Sequence, residues 1–130
     1  RCLSRYMGGI ETFRLKDREQ CTAFRPQENI VVRWRLPESF WIGRDKNTVL
    51  TIALFRFGSH TNINNVFYKK LAHKKPSMKP LLFGEFTCYA PKDAGTFVFR
   101  IYDNRPEFCY ETMAYSNRIC VELWDNEVTI

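Results

Sequence analysis

The amino-acid sequence predicts an all-β domain, an antiparallel β-sandwich of seven to nine short strands. Side chains alternate in type along residues 30–36 and 97–102, as is typical of strands. Turn-forming Pro, Gly, Asp and Asn residues separate the candidate strands, and no segment carries the 3.6-residue apolar period of an amphipathic helix. A hydrophobic content of 45% is sufficient for a packed core.

Up to nine candidate strands follow one another along the chain. Residues 30–36 place Trp34 on an apolar face opposite polar neighbours. Residues 48–57 carry β-branched and aromatic side chains on both faces, which predicts a central strand covered on both sides. Residues 67–72 contain lysines, which discourage further pairing at a sheet edge. The full set is 10–16, 21–24, 30–36, 48–57, 67–72, 81–90, 97–102, 108–115 and 119–124.

The chain is interpreted as one domain over residues 1–130, with residues 1–9 as a lead-in. Because it begins with Arg1 and not with Met, we expect it to be part of a longer protein. No apolar run reaches the roughly 18 residues that a membrane-spanning helix needs. We therefore expect no transmembrane segment in this piece.

The five cysteines indicate a reducing, cytoplasmic compartment. Their number is odd, their spacing is wide, and no Cys-x-x-Cys pair occurs, which argues against a zinc site and a compact disulfide framework. A single disulfide between facing strands stays open as an alternative. The cysteines are Cys2, Cys21, Cys88, Cys109 and Cys120.

The sequence contains no recognisable catalytic or metal-binding motif. Its two histidines, His60 and His73, lie in predicted loops without a nearby nucleophile and carboxylate. The aspartates are scattered, whereas calcium needs several hard oxygen ligands close together. We therefore expect no catalytic residue, no bound metal and no cofactor in this domain.

The charge distribution provides the most specific candidate for a binding site. Residues 1–80 contain 16 Lys and Arg against 6 Asp and Glu, whereas residues 81–130 contain 4 against 8. A run of five lysines without an acidic neighbour could attract an anionic membrane or phosphate groups. The alternative is a solubilising loop beside an edge strand. These lysines are Lys69, Lys70, Lys74, Lys75 and Lys79.

Individual residues of the alternating strands are assigned to a strand face or to the core. Arg33 and Arg35 are interpreted as a solvated sheet face, with a ligand site as the alternative. Since Trp34, Trp41 and Phe67 are interpreted as core residues, no aromatic platform for stacking bases is expected beside the lysines, and we expect no nucleic-acid partner.

In residues 81–90, Leu82, Phe86 and Cys88 are expected on one face, opposite Phe83, Glu85, Thr87 and Tyr89.

The sequence Asp93-x-Gly95-x-Phe97-x-Phe99 resembles the Asp-x-Gly-x-Tyr-x-Cys corner of immunoglobulin-like domains. Phenylalanine replaces both the tyrosine and the cysteine, so neither the hydrogen bond of the tyrosine corner nor the inter-sheet disulfide can form. The resemblance implies an immunoglobulin-like sandwich without its disulfide, in which Asp93 and Gly95 form the turn and the two phenylalanines lie in the core.

A second resemblance covers roughly residues 25–124. Trp34 followed by Leu36-Pro37, then Trp41-Ile42-Gly43, and finally residues 113–119 are similar to the SKICH domain. That domain occurs in coiled-coil autophagy and co-activator adaptors and in some inositol-phosphate 5-phosphatases. A SKICH-like sandwich also ends fungal phosphatidylethanolamine methyltransferases. The chain departs from the pattern at Phe40, where these families carry Asp.

The resemblance to SKICH domains implies a non-catalytic module. Such a module would dock a larger cytoplasmic protein onto a protein partner or an anionic membrane surface. The alternative is an accessory domain of a membrane enzyme that modifies phospholipids, with catalysis elsewhere in the parent protein.

Overall fold

The structure is a computed structural model that describes residues 9–37, 50–59, 65–71, 82–103 and 112–123. Over these residues the regular structure consists of β-strands, which form two sheets. The predicted all-β sandwich is therefore confirmed.

Nine strands lie within the described ranges. Their bounds differ from the predicted ones by a few residues at most ends, and part of the predicted 48–57, 67–72, 81–90, 108–115 and 119–124 lies outside the described residues. They are β1 (Gly9–Arg14), β2 (Ala23–Phe24), β3 (Asn29–Arg35), β4 (Leu50–Arg56), β5 (Phe67–Lys70), β6 (Phe83–Tyr89), β7 (Gly95–Asp103), β8 (Thr112–Tyr115) and β9 (Ile119–Val121).

The smaller sheet has three antiparallel strands in the order β1-β3-β6. The larger sheet has the order β2-β9-β7-β4-β5, and β8 pairs with β7 beside β9. All pairings in the larger sheet are antiparallel except that of β2 with β9, which is parallel. In this order β4 lies between β5 and β7, so the predicted central position of this strand is confirmed.

The core lies between the inner faces of the two sheets. Strand β3 contributes Ile30, Val32 and Trp34, and β7 contributes Phe97 and Phe99, all nearly or fully removed from solvent. Both sets follow the period of two that a strand with one core-facing side requires. The alternation predicted for residues 30–36 and 97–102 is confirmed.

A second apolar cluster lies on the opposite face of the larger sheet. It consists of Ala53, Phe55, Val98 and Tyr102. The rings of Phe55 and Tyr102 meet edge to face with their centroids 6.1 Å apart, a favoured aromatic geometry. Strand β4 is thus buried on both faces, as its composition predicts.

The last strand ends earlier than expected. Ile119 and Val121 are buried, but Leu123, predicted on the same face, is 71% exposed. Strand β9 pairs with Gly95–Phe97 of β7 and with β2, and both ladders end at Val121. After Val121 the backbone N–H of Glu122 donates to the Phe24 carbonyl at 2.9 Å, but within the described residues strand pairing does not continue to Leu123, so the period of two no longer directs this side chain into the core.

Within the described ranges, Cys21, Cys88 and Cys120 are free thiols, so none of them forms the disulfide left open above. No helix in those ranges is long and apolar enough to cross a membrane. The same ranges contain no group of three or more His, Cys, Asp or Glu side chains placed to hold a metal ion.

Candidate binding groove on the three-stranded sheet

The outer face of the three-stranded sheet carries most of its charged side chains in rows that cross the strands. The register aligns Glu11 of β1 with Arg33 of β3 and Glu85 of β6. The next row aligns Gly9, Arg35 and Phe83. In β6, Phe83, Glu85, Thr87 and Tyr89 are exposed while Phe86 and Cys88 are partly or fully buried, so the predicted division of this strand into two faces is confirmed, and the first set is the outward one.

Arg33 is held by two neighbours on this face. Its Nε and Nη2 atoms both lie 3.2 Å from Glu85 Oε1. Its guanidinium carbon lies 4.5 Å from the centroid of the Phe13 ring, within the range of a cation–π contact. Arg18, from the turn after β1, donates to the other Glu85 oxygen at 2.9 Å. Arg33 therefore has a fixed position within a charged cluster.

The two arginines determine the ionisation of Glu85. The hydrogen bond from Arg18 is the largest cause that lowers the pKa of Glu85, and the hydrogen bond from Arg33 adds to it, while desolvation opposes both. The carboxylate is therefore charged at neutral pH. Arg18, Arg33 and Glu85 together carry one net positive charge, which Glu11 in the same row offsets.

Arg35 has no comparable partner. It is exposed, and within the described part of the chain it makes no ion pair or ring contact. Its row neighbours offer no acceptor side chain, because one is Gly9 and the other is Phe83. A Cβ atom placed on Gly9 would meet nothing within 4 Å, so there is open space next to Arg35.

A groove of about 960 Å³ opens at this row. Phe83, which lines it, is 72% exposed, and Tyr115 is 51% exposed. Together these two rings give the groove an apolar part that is open to solvent next to its charged residues. The groove is lined by Gly9, Ile10, Glu11, Arg33, Trp34, Arg35, Pro37, Phe83, Gly84, Glu85, Tyr115 and Asn117.

Strand β8 and the residues after it complete the groove. Ser116 forms a parallel bridge with Ile10 of β1, which brings the end of β8 beside the smaller sheet. The Ser116 hydroxyl accepts a hydrogen bond from the backbone N–H of Phe99 at 2.9 Å and donates to the carbonyl of Asn117 at 2.7 Å. These bonds fix the segment that places Tyr115 and Asn117 in the groove wall.

A second, smaller groove of about 650 Å³ lies at the other end of β6. Tyr89, 69% exposed, and Lys92 line it. Arg56 and Asp93, which also line it, approach each other to 3.9 Å. The exposed aromatic residues of β6 are therefore divided between two grooves.

The residues of the immunoglobulin-like corner are distributed between surface and core. Asp93 is exposed, while Phe97 and Phe99 are fully buried. A Cβ atom at Gly95 would lie 3.2 Å from Arg56 Nη1 and 3.4 Å from Phe97 Cε1, so side chains pack closely around this position. Trp34 is almost fully buried, and Trp41 lies outside the described residues.

Only Lys69 of the predicted lysine cluster has a described side chain. It is exposed on β5, with its Nζ atom 5.9 Å from the centroid of the Phe86 ring. Phe86 also stacks on Phe67 at 6.1 Å, which joins the edges of the two sheets. The side chain of Lys70 and all of Lys74, Lys75 and Lys79 lie outside the described residues, so a shared lysine site stays a prediction.

Sequence reasoning identified Arg33 and Arg35 but missed the groove beside them. Phe83 and Tyr115 were not singled out, although Phe83 was placed on the same strand face as Glu85. An aromatic residue on the polar face of an alternating strand is the signal that could have revealed it.

No family model matches the chain, and no curated protein matches it. Among solved structures it is similar to the soluble domain of PmoD from Methylocystis sp. ATCC 49242 (Rockwell), with 12% sequence identity and a TM-score of 0.48. The match covers 87% of this chain and 89% of that chain. This similarity is too distant to carry an argument, and it does not bear on the resemblance to SKICH domains.

Proposed function

We propose that this domain is a non-catalytic interaction module that docks a larger cytoplasmic protein onto a protein partner through the groove on the three-stranded sheet. The observation that carries the proposal is the 72% exposure of Phe83 in a groove that also presents Arg35. An aromatic side chain and an arginine are the residue types most enriched where proteins contact one another.

The composition of the groove favours a protein over a membrane as the partner. Its lining carries both signs of charge, with Glu11 and Glu85 next to Arg33 and Arg35. A membrane-binding face gains roughly 1 kcal/mol from each basic residue near the anionic surface, so acidic residues on the same face would weaken it. A protein surface can match such a mixed pattern residue by residue.

The test is site-specific photocrosslinking from the groove. A benzophenone amino acid replaces Phe83 in the full protein, and the matched control carries it at Thr96, an exposed position on β7 of the other sheet. We expect the probe at position 83 to capture a protein from native cell extract in a saturable way, with loss of the product on addition of excess unmodified protein.

The control at position 96 should give no such product. Equal capture from both positions, capture of lipid alone, or no saturable product from position 83 would each contradict the proposal.

A further inference from the structure

The two outward arginines of β3 are two residues apart on one face, yet their surroundings differ. Arg33 bonds Glu85 and covers the Phe13 ring, so its donors and its flat face are engaged. Arg35 has neither contact within the described ranges. A guanidinium group offers five donors in a planar fork that matches a carboxylate. Arg35 therefore keeps this capacity for a ligand.

The acidic groups of the groove leave this capacity intact. Glu85 accepts from both Arg18 and Arg33, at 2.9 and 3.2 Å. Glu11 aligns with Arg33, one row away from Arg35. The other charged group in the groove lining is Arg33, so the immediate row of Arg35 contains no carboxylate of the protein itself. An incoming anion would complement Arg35 at this place.

The surroundings of Arg35 also specify what should accompany the anion. Phe83 lies beside it in the same row, and Tyr115 stands in the wall, both largely open to solvent. The missing side chain at Gly9 leaves space on the other side. A ligand that packs an apolar group on the aromatic rings and places an anionic oxygen on Arg35 would use the rings, the arginine and the open space at Gly9.

On this basis we propose that the groove binds an extended acidic segment of a partner protein, in which one carboxylate pairs with Arg35 and an apolar side chain two residues away packs on Phe83. This inference rests on the proposed function and names its partner chemistry. Because Arg35 and Phe83 are partners in one row, the carboxylate and the apolar side chain must lie on the same side of the extended segment, at positions two residues apart. Among the described residues that line the groove, Arg35 is the one cation without an ion pair, which suits one carboxylate better than an extended anionic surface.

The test uses the folded chain labelled with ¹⁵N and a short blocked peptide of repeating Glu-Ser-Leu-Ser, which places Glu and Leu on the same side of an extended segment. We expect the peptide to shift the amide signals of Arg35, Phe83 and Tyr115 in a saturable manner. A matched peptide with Gln in place of Glu should bind about tenfold more weakly, because a charge-assisted hydrogen bond is lost. Substitution R35Q should weaken binding of the Glu peptide by a similar factor, and R35K should weaken it less.

The matched control is K92Q, which removes the same charge from an exposed site beyond the other end of β6 and should leave binding unchanged. Equal affinity for the Glu and Gln peptides, or no shift with either, overturns the carboxylate assignment. If inorganic phosphate or phosphatidylserine vesicles give larger amide shifts than the Glu peptide, and R35Q abolishes these shifts, the carboxylate assignment is overturned in favour of a phosphate ligand. If the photocrosslinks from position 83 persist in any of these cases, the interaction module stands and only the acidic peptide is wrong.

Discussion

The indole ring of Trp34 lies directly against the backbone of Gly84 on the neighbouring strand. A Cβ atom built on Gly84 would come within 2.7 Å of Trp34 Cζ2 and 2.9 Å of Nε1. The two residues are partners in the register of β3 and β6, and Trp34 is almost fully buried. Glycine at this position is therefore required by the close approach of a large core side chain.

Substitution G84A should destabilise the fold by about 1–3 kcal/mol, because the added methyl group overpacks a site where the surrounding ring has little room to move. Urea unfolding measures the change. The matched control is G9A, since a Cβ atom on Gly9 meets nothing within 4 Å, and its effect should stay within about 0.5 kcal/mol. G84A should cost less when it is introduced into W34F than into the unmodified chain, because the smaller ring leaves space for the methyl group. Equal stability of G84A and the unmodified chain would show that Trp34 is not confined there.

Truncation to Ala should reduce the unfolding free energy strongly at a core phenylalanine and hardly at all at the phenylalanine of the groove. Phe99 is fully buried between the sheets, so F99A should cost about 3–5 kcal/mol of unfolding free energy through lost burial and the cavity left behind. Phe83 is mostly exposed, so F83A should change stability by no more than about 0.5 kcal/mol. Thermal or urea unfolding measures both changes. A large loss of unfolding free energy in F83A would mean that this ring stabilises the fold and is not kept for contact with a partner.

The fold was predictable because local pattern and tertiary structure agree in its central strands. Residues 30–36 alternate, and the structure buries Ile30, Val32 and Trp34 on the predicted side. Strand boundaries were less predictable. At the last strand the apolar pattern continues to Leu123, but the pairing that would bury this residue ends at Val121. The spacing of apolar residues predicts which face of a strand each side chain would occupy, whereas backbone pairing with a neighbouring strand determines whether the residue is held on that face.

The candidate groove depends on contacts that no local pattern contains. Arg35 and Phe83 become row neighbours only through the register of β3 and β6, and Tyr115 reaches them through the bridge between Ile10 and Ser116. The difference between Arg33 and Arg35 likewise depends on which residue the neighbouring strand places opposite each one. The sequence therefore indicated a polar, arginine-bearing face but not the site on it. The accessory role in a phospholipid-modifying enzyme stays a prediction that no structural observation favours.

The ion cluster on the three-stranded sheet should make stability dependent on pH through Glu85. Hydrogen bonds from Arg18 and then Arg33 lower the pKa of Glu85 below its ordinary value of 4.5. Since the pKa is lower in the folded state, the stabilisation is fully present above about pH 4.5 and is lost as the pH falls through the folded-state pKa. Substitution E85Q should therefore destabilise the chain near neutral pH, and the difference should shrink in acid.

Urea unfolding at about pH 7 and about pH 3 measures this difference. Added salt should also reduce it at neutral pH, because the three side chains are partly exposed and the charges are screened. The matched control is E122Q, at an exposed position without an ion pair among the described residues. A difference between E85Q and the unmodified chain that is the same at both pH values would contradict the assignment.

The buried thiol of Cys88 should be the least reactive of the three described cysteines. Burial raises the pKa of Cys88 to about 12, so the thiol stays protonated at neutral pH, and the side chain is only 6% exposed. Cys21 and Cys120 are half-buried. Because the thiolate is the reacting species, a pulse of iodoacetamide at about pH 8 should label Cys88 at least about tenfold more slowly than Cys120. Peptide mass spectrometry gives the rate at each site, and the control in denaturant should bring the rates together. Fast labelling of Cys88 in the native chain would mean that β6 opens readily from the sandwich, since the sulfur must reach solvent before it can react.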